Sequence, residues 1–138
     1  MRDRWRGVLT RHPRILGGLF AVYWLTIFTA THIEMPKVEA APRNTDKLVH
    51  LVMYGGFAFW LSLWLASRKV PLARIKWITL GTSVIYGILD ELLQIPIESR
   101  SADVWDFVTD VCGATLGFLL FAALRSRVGW LWESDSAG

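Results

Sequence analysis

Residues 104–124 read VWDFVTDVCGATLGFLLFAAL, an apolar stretch interrupted by two carboxylates, Asp106 and Asp110. Its length matches the ~20 residues a helix needs to cross the hydrocarbon core of a bilayer. Asp103, Asp106, Asp110, Gly113 and Gly117 recur at three- and four-residue spacing, so one helical face is acidic at its start and small below. Gly113 and Gly117 form a G-x-x-x-G, the spacing that lets helix backbones approach closely in a membrane. An ionisable group near the centre of such a helix costs about 2.5–3.5 kcal/mol on insertion scales, so these acids need pairing, hydration or a function.

Three further stretches have the same character, approximately 15–31, 48–66 and 75–95. The 138-residue chain is 53% hydrophobic with a mean hydropathy of +0.35 and eight Trp, too little polar surface for a soluble globule of that size. The expectation is an all-α fold: one domain over 1–138, a four-helix transmembrane bundle. Pro36, Pro42, Pro71 and Pro96 punctuate the connections. Basic residues precede the first span, but its apolar run exceeds ~15 residues with no A-x-A-like site after it, so it reads as an uncleaved helix rather than a signal peptide. The lone Cys112 forms no intrachain disulfide and has no thiolate metal-site spacing.

A net charge of +3 raises nucleic acid as a partner, but the basic residues flank apolar spans, so no nucleic acid is expected. Eleven of the 15 Lys and Arg belong to the amino-terminal arm (Arg2 to Arg14), the second connection (Arg68, Lys69, Arg74, Lys76) and the tail (Arg125, Arg127). Lys37, Arg43, Lys47 and Arg100 fall on the opposite side, so the positive-inside rule puts both termini in the cytoplasm. Trp60, Trp64, Trp77, Trp130 and Trp132 then lie toward the inner interface and Trp105 toward the outer one, as interfacial anchors.

With that topology His50, Asp90 and Asp106 share the outer leaflet. At 1.5 Å per residue His50 is roughly 3–6 Å below its helix start, Asp90 roughly 8 Å from its helix end and Asp110 roughly 9 Å down its own, depths compatible with one shared site. Asp46, His50 and Tyr54 form one stripe, and Tyr86, Asp90 and Gln94 form another. Glu91 is about 100° round from Asp90, so the two carboxylates cannot point identically into one space; Asp90 is the one expected in the pocket.

The run Asp46-Lys47-Leu48-Val49-His50 with Tyr54, then Asp90-Glu91-Leu92-Leu93-Gln94, then Arg100-Ser101 and Asp106 leading to Gly113 and Gly117, resembles the VanZ-like family of small bacterial membrane proteins. These motifs span 46–117 in family order and spacing; Asp110 stands where the family often has Asn. The resemblance implies a multi-pass protein of the bacterial inner membrane with a link to the cell envelope. The family's namesake contributes to low-level teicoplanin resistance, but the family has no agreed biochemical mechanism, so antibiotic tolerance is an analogy for this chain.

Chemically, His50 exchanges protons around neutrality, with Asp46 or Asp90 to orient its ring, and with Asp90 and Asp106 it forms the candidate catalytic set. Asp46, Tyr54, Glu91, Gln94, Arg100 and Asp110 are the candidate ligand-binding residues. Arg100 is a counter-ion for the carboxylates or a holder of phosphate, Ser101 an N-cap and Asp103 a first-turn acid. No nucleophile elbow, Gly-rich phosphate loop or standard zinc motif is present, so no cofactor follows and no metal is assigned. Asp46, His50, Asp90 and Asp106 suit Mg, Mn or Zn in donor type, but they come from three helices and spacing does not select them.

The expected function is an extracytoplasmic polar pocket that binds a lipid headgroup, lipid-linked envelope precursor or glycopeptide, with membrane lipids as constant partners and an accessory role in the envelope. The alternative is a membrane-embedded hydrolase or transferase acting on a lipid-linked substrate through His50 and Asp90. Proton or ion movement ranks lower, since no charge continues a path along the inner halves of spans two to four. No feature of the spans specifies an oligomeric state.

Overall fold

The computed structural model describes residues 7–32, 45–95 and 104–128. A short helix α1, Val8–Arg11, precedes four long ones: α2 Pro13–His32, α3 Thr45–Ser67, α4 Leu72–Gln94 and α5 Val104–Arg127. All four long helices meet the length and hydropathy of a membrane span, and the chain is a multi-pass membrane protein. Each expected span lies on its helix to within a few residues at either end. Pro36, Pro42, Pro96, Arg100, Ser101, Asp103, Trp130 and Trp132 fall outside the described residues.

Local chemistry sets the boundaries. His12 leaves helical geometry because the residue before a proline is disfavoured there, and Pro13 then opens α2 at the position where its missing N–H costs nothing. Between α3 and α4 the backbone closes in a Schellman motif. Val70 N–H donates to Leu65 C=O at 3.2 Å and Lys69 N–H to Ala66 C=O at 2.9 Å, while Lys69 takes the left-handed φ of 60° and Pro71 stops any continuation. Asp46 and Asp106 sit in the first turns of α3 and α5 and Arg125 and Arg127 in the last turn of α5, matching the helix dipoles.

The packing is inverted relative to a water-soluble protein. The buried residues of α4 are Ile75, Thr79, Ser83, Gly87, Asp90, Glu91 and Gln94, one continuous face that is almost wholly small or polar. Ile85, Ile88, Leu89, Leu92 and Leu93 of the same helix are exposed, as a lipid-facing surface requires. The polar face points inward because hydrocarbon offers it no hydrogen bonds.

Helices α3 and α5 make the most extensive contact and run in the same direction, with α4 antiparallel against both and α2 against α3 and α4. A Cβ at Gly113 would overlap the Leu51 carbonyl and one at Gly117 the Gly55 carbonyl, while one at Gly55 would stand 3.2 Å from the Gly113 oxygen. The G-x-x-x-G of α5 therefore packs directly on the α3 backbone, as its spacing predicts. Tyr23 crosses from α2 to donate to the Met53 carbonyl at 3.0 Å, lying over Gly56 where a side chain would overlap its hydroxyl.

Layers follow along the bundle. At one end Ala66, Ile75, Phe118 and Phe121 form an apolar cluster, next to a Ser62–Thr79 hydroxyl pair at 3.1 Å. Midway Phe57 and Tyr54 stack on Tyr86 with ring centroids 5.3 and 5.5 Å apart. The other end is polar.

Candidate functional site

The polar end is assembled from the start of α3, the end of α4, the start of α5 and the last turn of α2. His50 Nδ1 lies 2.9 Å from Asp110 Oδ1, and the two residues are 3% and 0% exposed. The carboxylate accepts and the ring nitrogen donates, so the bond orients the imidazole and leaves Nε2 as the second functional nitrogen. The close α3–α5 approach one turn below, at Leu51 and Gly113, brings these side chains level.

This corrects the expectation that Asp46 or Asp90 orients the ring. Asp46 is exposed, 3.9 Å from Lys47. Asp90 is buried but engaged elsewhere: its Oδ1 accepts from Thr31 Oγ1 and its Oδ2 from Gln94 Nε2, both at 3.0 Å. Asp106 receives Lys47 Nζ at 2.7 Å in a partly exposed pair. Asp90 and Asp106 therefore stand beside the His50 centre with other partners, and a direct His50–Asp90–Asp106 triad does not form.

The wheel argument for Asp90 and Glu91 holds, with its assignment reversed. Asp90 faces α2, whereas a Glu91 oxygen, an Asp110 oxygen and a ring nitrogen of His50 all lie within 4.8 Å of one another, all three residues buried. These three replace Asp46, His50, Asp90 and Asp106 as the donor set the fold brings together. Tyr54 sits one turn below His50, its ring stacked on the imidazole at 6.4 Å, and within electrostatic reach of Asp90, Asp110 and Glu91. Its hydroxyl and Asp110 Oδ2 are buried without a hydrogen-bond partner among the described residues. A Cβ at Gly87 would lie 3.5 Å from that Oδ2, so the oxygen is directed at the α4 face carrying Glu91 one turn on. Arg100 lies outside the described residues.

Thr31, His32, Lys47 and Gly55 were not among the expected site residues. His32 Nδ1 lies 2.9 Å from the Phe28 carbonyl and 3.0 Å from Thr31 Oγ1; a carbonyl only accepts, so this nitrogen donates, and the Thr31 hydroxyl donates to Asp90 Oδ1. Their signal was available: the first span ends on Thr31 and His32 in the leaflet assigned to His50. Lys47, read for topology and as part of the family motif, pairs with Asp106. Gly55, in a Gly-Gly pair, is the α3 half of the tight contact.

The arrangement is acceptor-rich: three buried carboxylates around one imidazole, with a Lys–Asp pair beside them. Among the described residues no Ser, Thr or Cys hydrogen-bonds His50, so the ring holds no activated side-chain nucleophile. Its chemistry is recognition of donors or cations, or base catalysis on a water.

A family model described as VanZ/LLP1 matches residues 9–125, from the residues before α2 almost to the end of α5. No curated protein and no solved structure matches the chain significantly.

Proposed function

We propose, for a chain that belongs to the VanZ/LLP1 family, that the buried polar end is a receptor site for the headgroup of a membrane amphiphile, a lipid or lipid-linked envelope precursor. The observation that carries this reading is the His50, Glu91 and Asp110 cluster, buried among helices whose outer faces are apolar. Intramembrane ionisable groups are retained where they bind or transfer something. An apolar furrow of about 410 Å³, bounded by Leu51, Gly55, Gly113 and Leu116, reaches to one turn below the His50–Asp110 pair. Such a furrow suits an acyl or isoprenoid tail whose headgroup engages the polar end.

In this reading the site opens away from the cytosol of a bacterial inner membrane. The basic turn between α3 and α4 and both termini then lie in the cytoplasm, a placement the distribution of Lys and Arg supports. Cysteine labelling from outside intact cells should reach a probe at position 46 and miss one at position 69; the opposite pattern inverts the topology.

The experiment for the site is native mass spectrometry of the protein in nanodiscs of phosphatidylglycerol and phosphatidylethanolamine. Wild type should keep a bound lipid through detergent exchange, and His50→Gln should lose it at unchanged membrane abundance. Equal retention by both proteins overturns the reading.

A second reading has one specific support. The Asp110–His50 bond is the orienting half of an acid–base dyad, which favours a hydrolase acting on a lipid-linked substrate through a bound water. Release of a headgroup product by wild type but not by His50→Gln would select the enzyme; retention without turnover selects the receptor. An envelope role such as glycopeptide tolerance is tested by teicoplanin susceptibility of a deletion strain complemented with each variant.

A further inference from the structure

We propose that His50, Glu91 and Asp110 bind a divalent cation of the Zn²⁺ or Mn²⁺ class, leaving an open coordination position for an oxygen of the headgroup phosphate. This rests on the receptor reading of the same site.

The donor set is the first argument. One imidazole and two carboxylates within 4.8 Å of one another suit Zn²⁺ or Mn²⁺, and three protein ligands are the number typical of a site that keeps one position open. Donors around tetrahedral zinc are separated by about 3.3 Å, so binding through Nδ1 moves the ring proton to Nε2, replaces the Nδ1–Asp110 hydrogen bond by shared coordination, and draws these side chains together by rotation about their own torsions.

Charge is the second. Two carboxylates side by side in a membrane interior repel, and a dication between them would relieve that repulsion. The third argument is independent of the cluster's composition. Asp110 Oδ2 is fully buried, has no partner among the described residues and is directed at the helix that carries Glu91. The Tyr54 hydroxyl is likewise unpartnered, on a residue 1% exposed whose ring stacks on the imidazole and which lies within electrostatic reach of Asp110 and Glu91. Asp90 is not one of the donors that lie within 4.8 Å of one another, and its oxygens accept from Thr31 and Gln94.

The test is metal content of protein purified in detergent from cells grown with zinc and manganese. Wild type and Asp106→Asn, which leaves the trio intact, should carry about one ion per chain. Glu91→Gln and Asp110→Asn should lose it, with affinity lowered at least ~10-fold. Cobalt(II) added to chelator-stripped wild type gives a readout that needs no variant: ligand-field bands of a low-symmetry nitrogen–oxygen site are expected. Monodisperse wild type that neither carries nor takes up a metal overturns the proposal, as does equal metal content in Glu91→Gln.

The same samples in nanodiscs separate the two readings. Metal bound with no lipid retained refutes the receptor and leaves the metal site standing. Phosphatidylglycerol retained equally before and after chelation refutes the metal's role in binding. Inorganic phosphate that displaces the lipid identifies the phosphate as the recognised group; phosphate without effect assigns recognition to the rest of the headgroup and removes the open-position claim.

Discussion

The two ends of this bundle are built from the same helices and are held by opposite means. At one end Ala66, Ile75, Phe118 and Phe121 interlock without a polar atom; at the other His50, Asp90, Glu91, Gln94 and Asp110 occupy equivalent inward positions. Between them α3 and α5 touch backbone to backbone at Gly55, Gly113 and Gly117. In a bilayer the burial of phenyl rings brings no gain from leaving water, so close fit alone holds the apolar end. That end shows the helices can be packed without charge. The polar end is held instead by hydrogen bonds between buried groups, Thr31 and Gln94 to Asp90 and His50 to Asp110, which tie α2 to α4 and α3 to α5.

The contrast breaks first at the imidazole. Asp110→Ala removes the hydrogen-bond partner of the buried His50 ring and should cost about 3–5 kcal/mol in SDS titration or steric trapping. Replacing both, His50→Leu with Asp110→Leu, should restore most of that stability while abolishing lipid and metal binding. A single variant as stable as wild type would show that the pair is not a closed unit and dissolve the contrast.

Next in size is the backbone contact. Gly117→Ala should lose about 1–3 kcal/mol, because its methyl overlaps the Gly55 carbonyl. Gly81→Ala, whose Cβ meets nothing within 4 Å, should be neutral or gain up to ~1 kcal/mol from helix propensity. Lys69→Gly should raise stability by about 1 kcal/mol, since a lysine at φ 60° closes the turn at the apolar end. The smallest effect belongs to Lys47→Ala. Its pair with Asp106 is partly exposed, so thermal unfolding in detergent should shift by less than ~1 kcal/mol.

Most of the fold was legible in the amino-acid order because span length and inward face are local properties. Thr79, Ser83, Gly87 and Glu91 repeat every four residues, and Gly113 and Gly117 announce a close contact. Inward position was legible for the same reason at His50, Tyr54, Asp90, Glu91, Gln94 and Asp110, all buried, whereas Asp46 is exposed and Asp106 partly so. Which carboxylate meets the imidazole was not. Helical phase states which face a residue occupies, whereas the neighbour opposite depends on how the helices are ordered around the bundle. Here the glycines of α5 select α3, which sets Asp110 rather than Asp90 against His50. The Gly55–Gly56 pair was the readable clue to that choice. Phase also showed that Asp90 and Glu91 diverge, but it cannot rank their two destinations.

The parallel α3–α5 contact has a consequence for biosynthesis. The ribosome delivers His50 to the bilayer some sixty residues before Asp110 is made, and the glycine seam that aligns them is completed last. Until α5 arrives the imidazole lacks the carboxylate that orients it in the finished fold, so the helix made last is the one that completes the site.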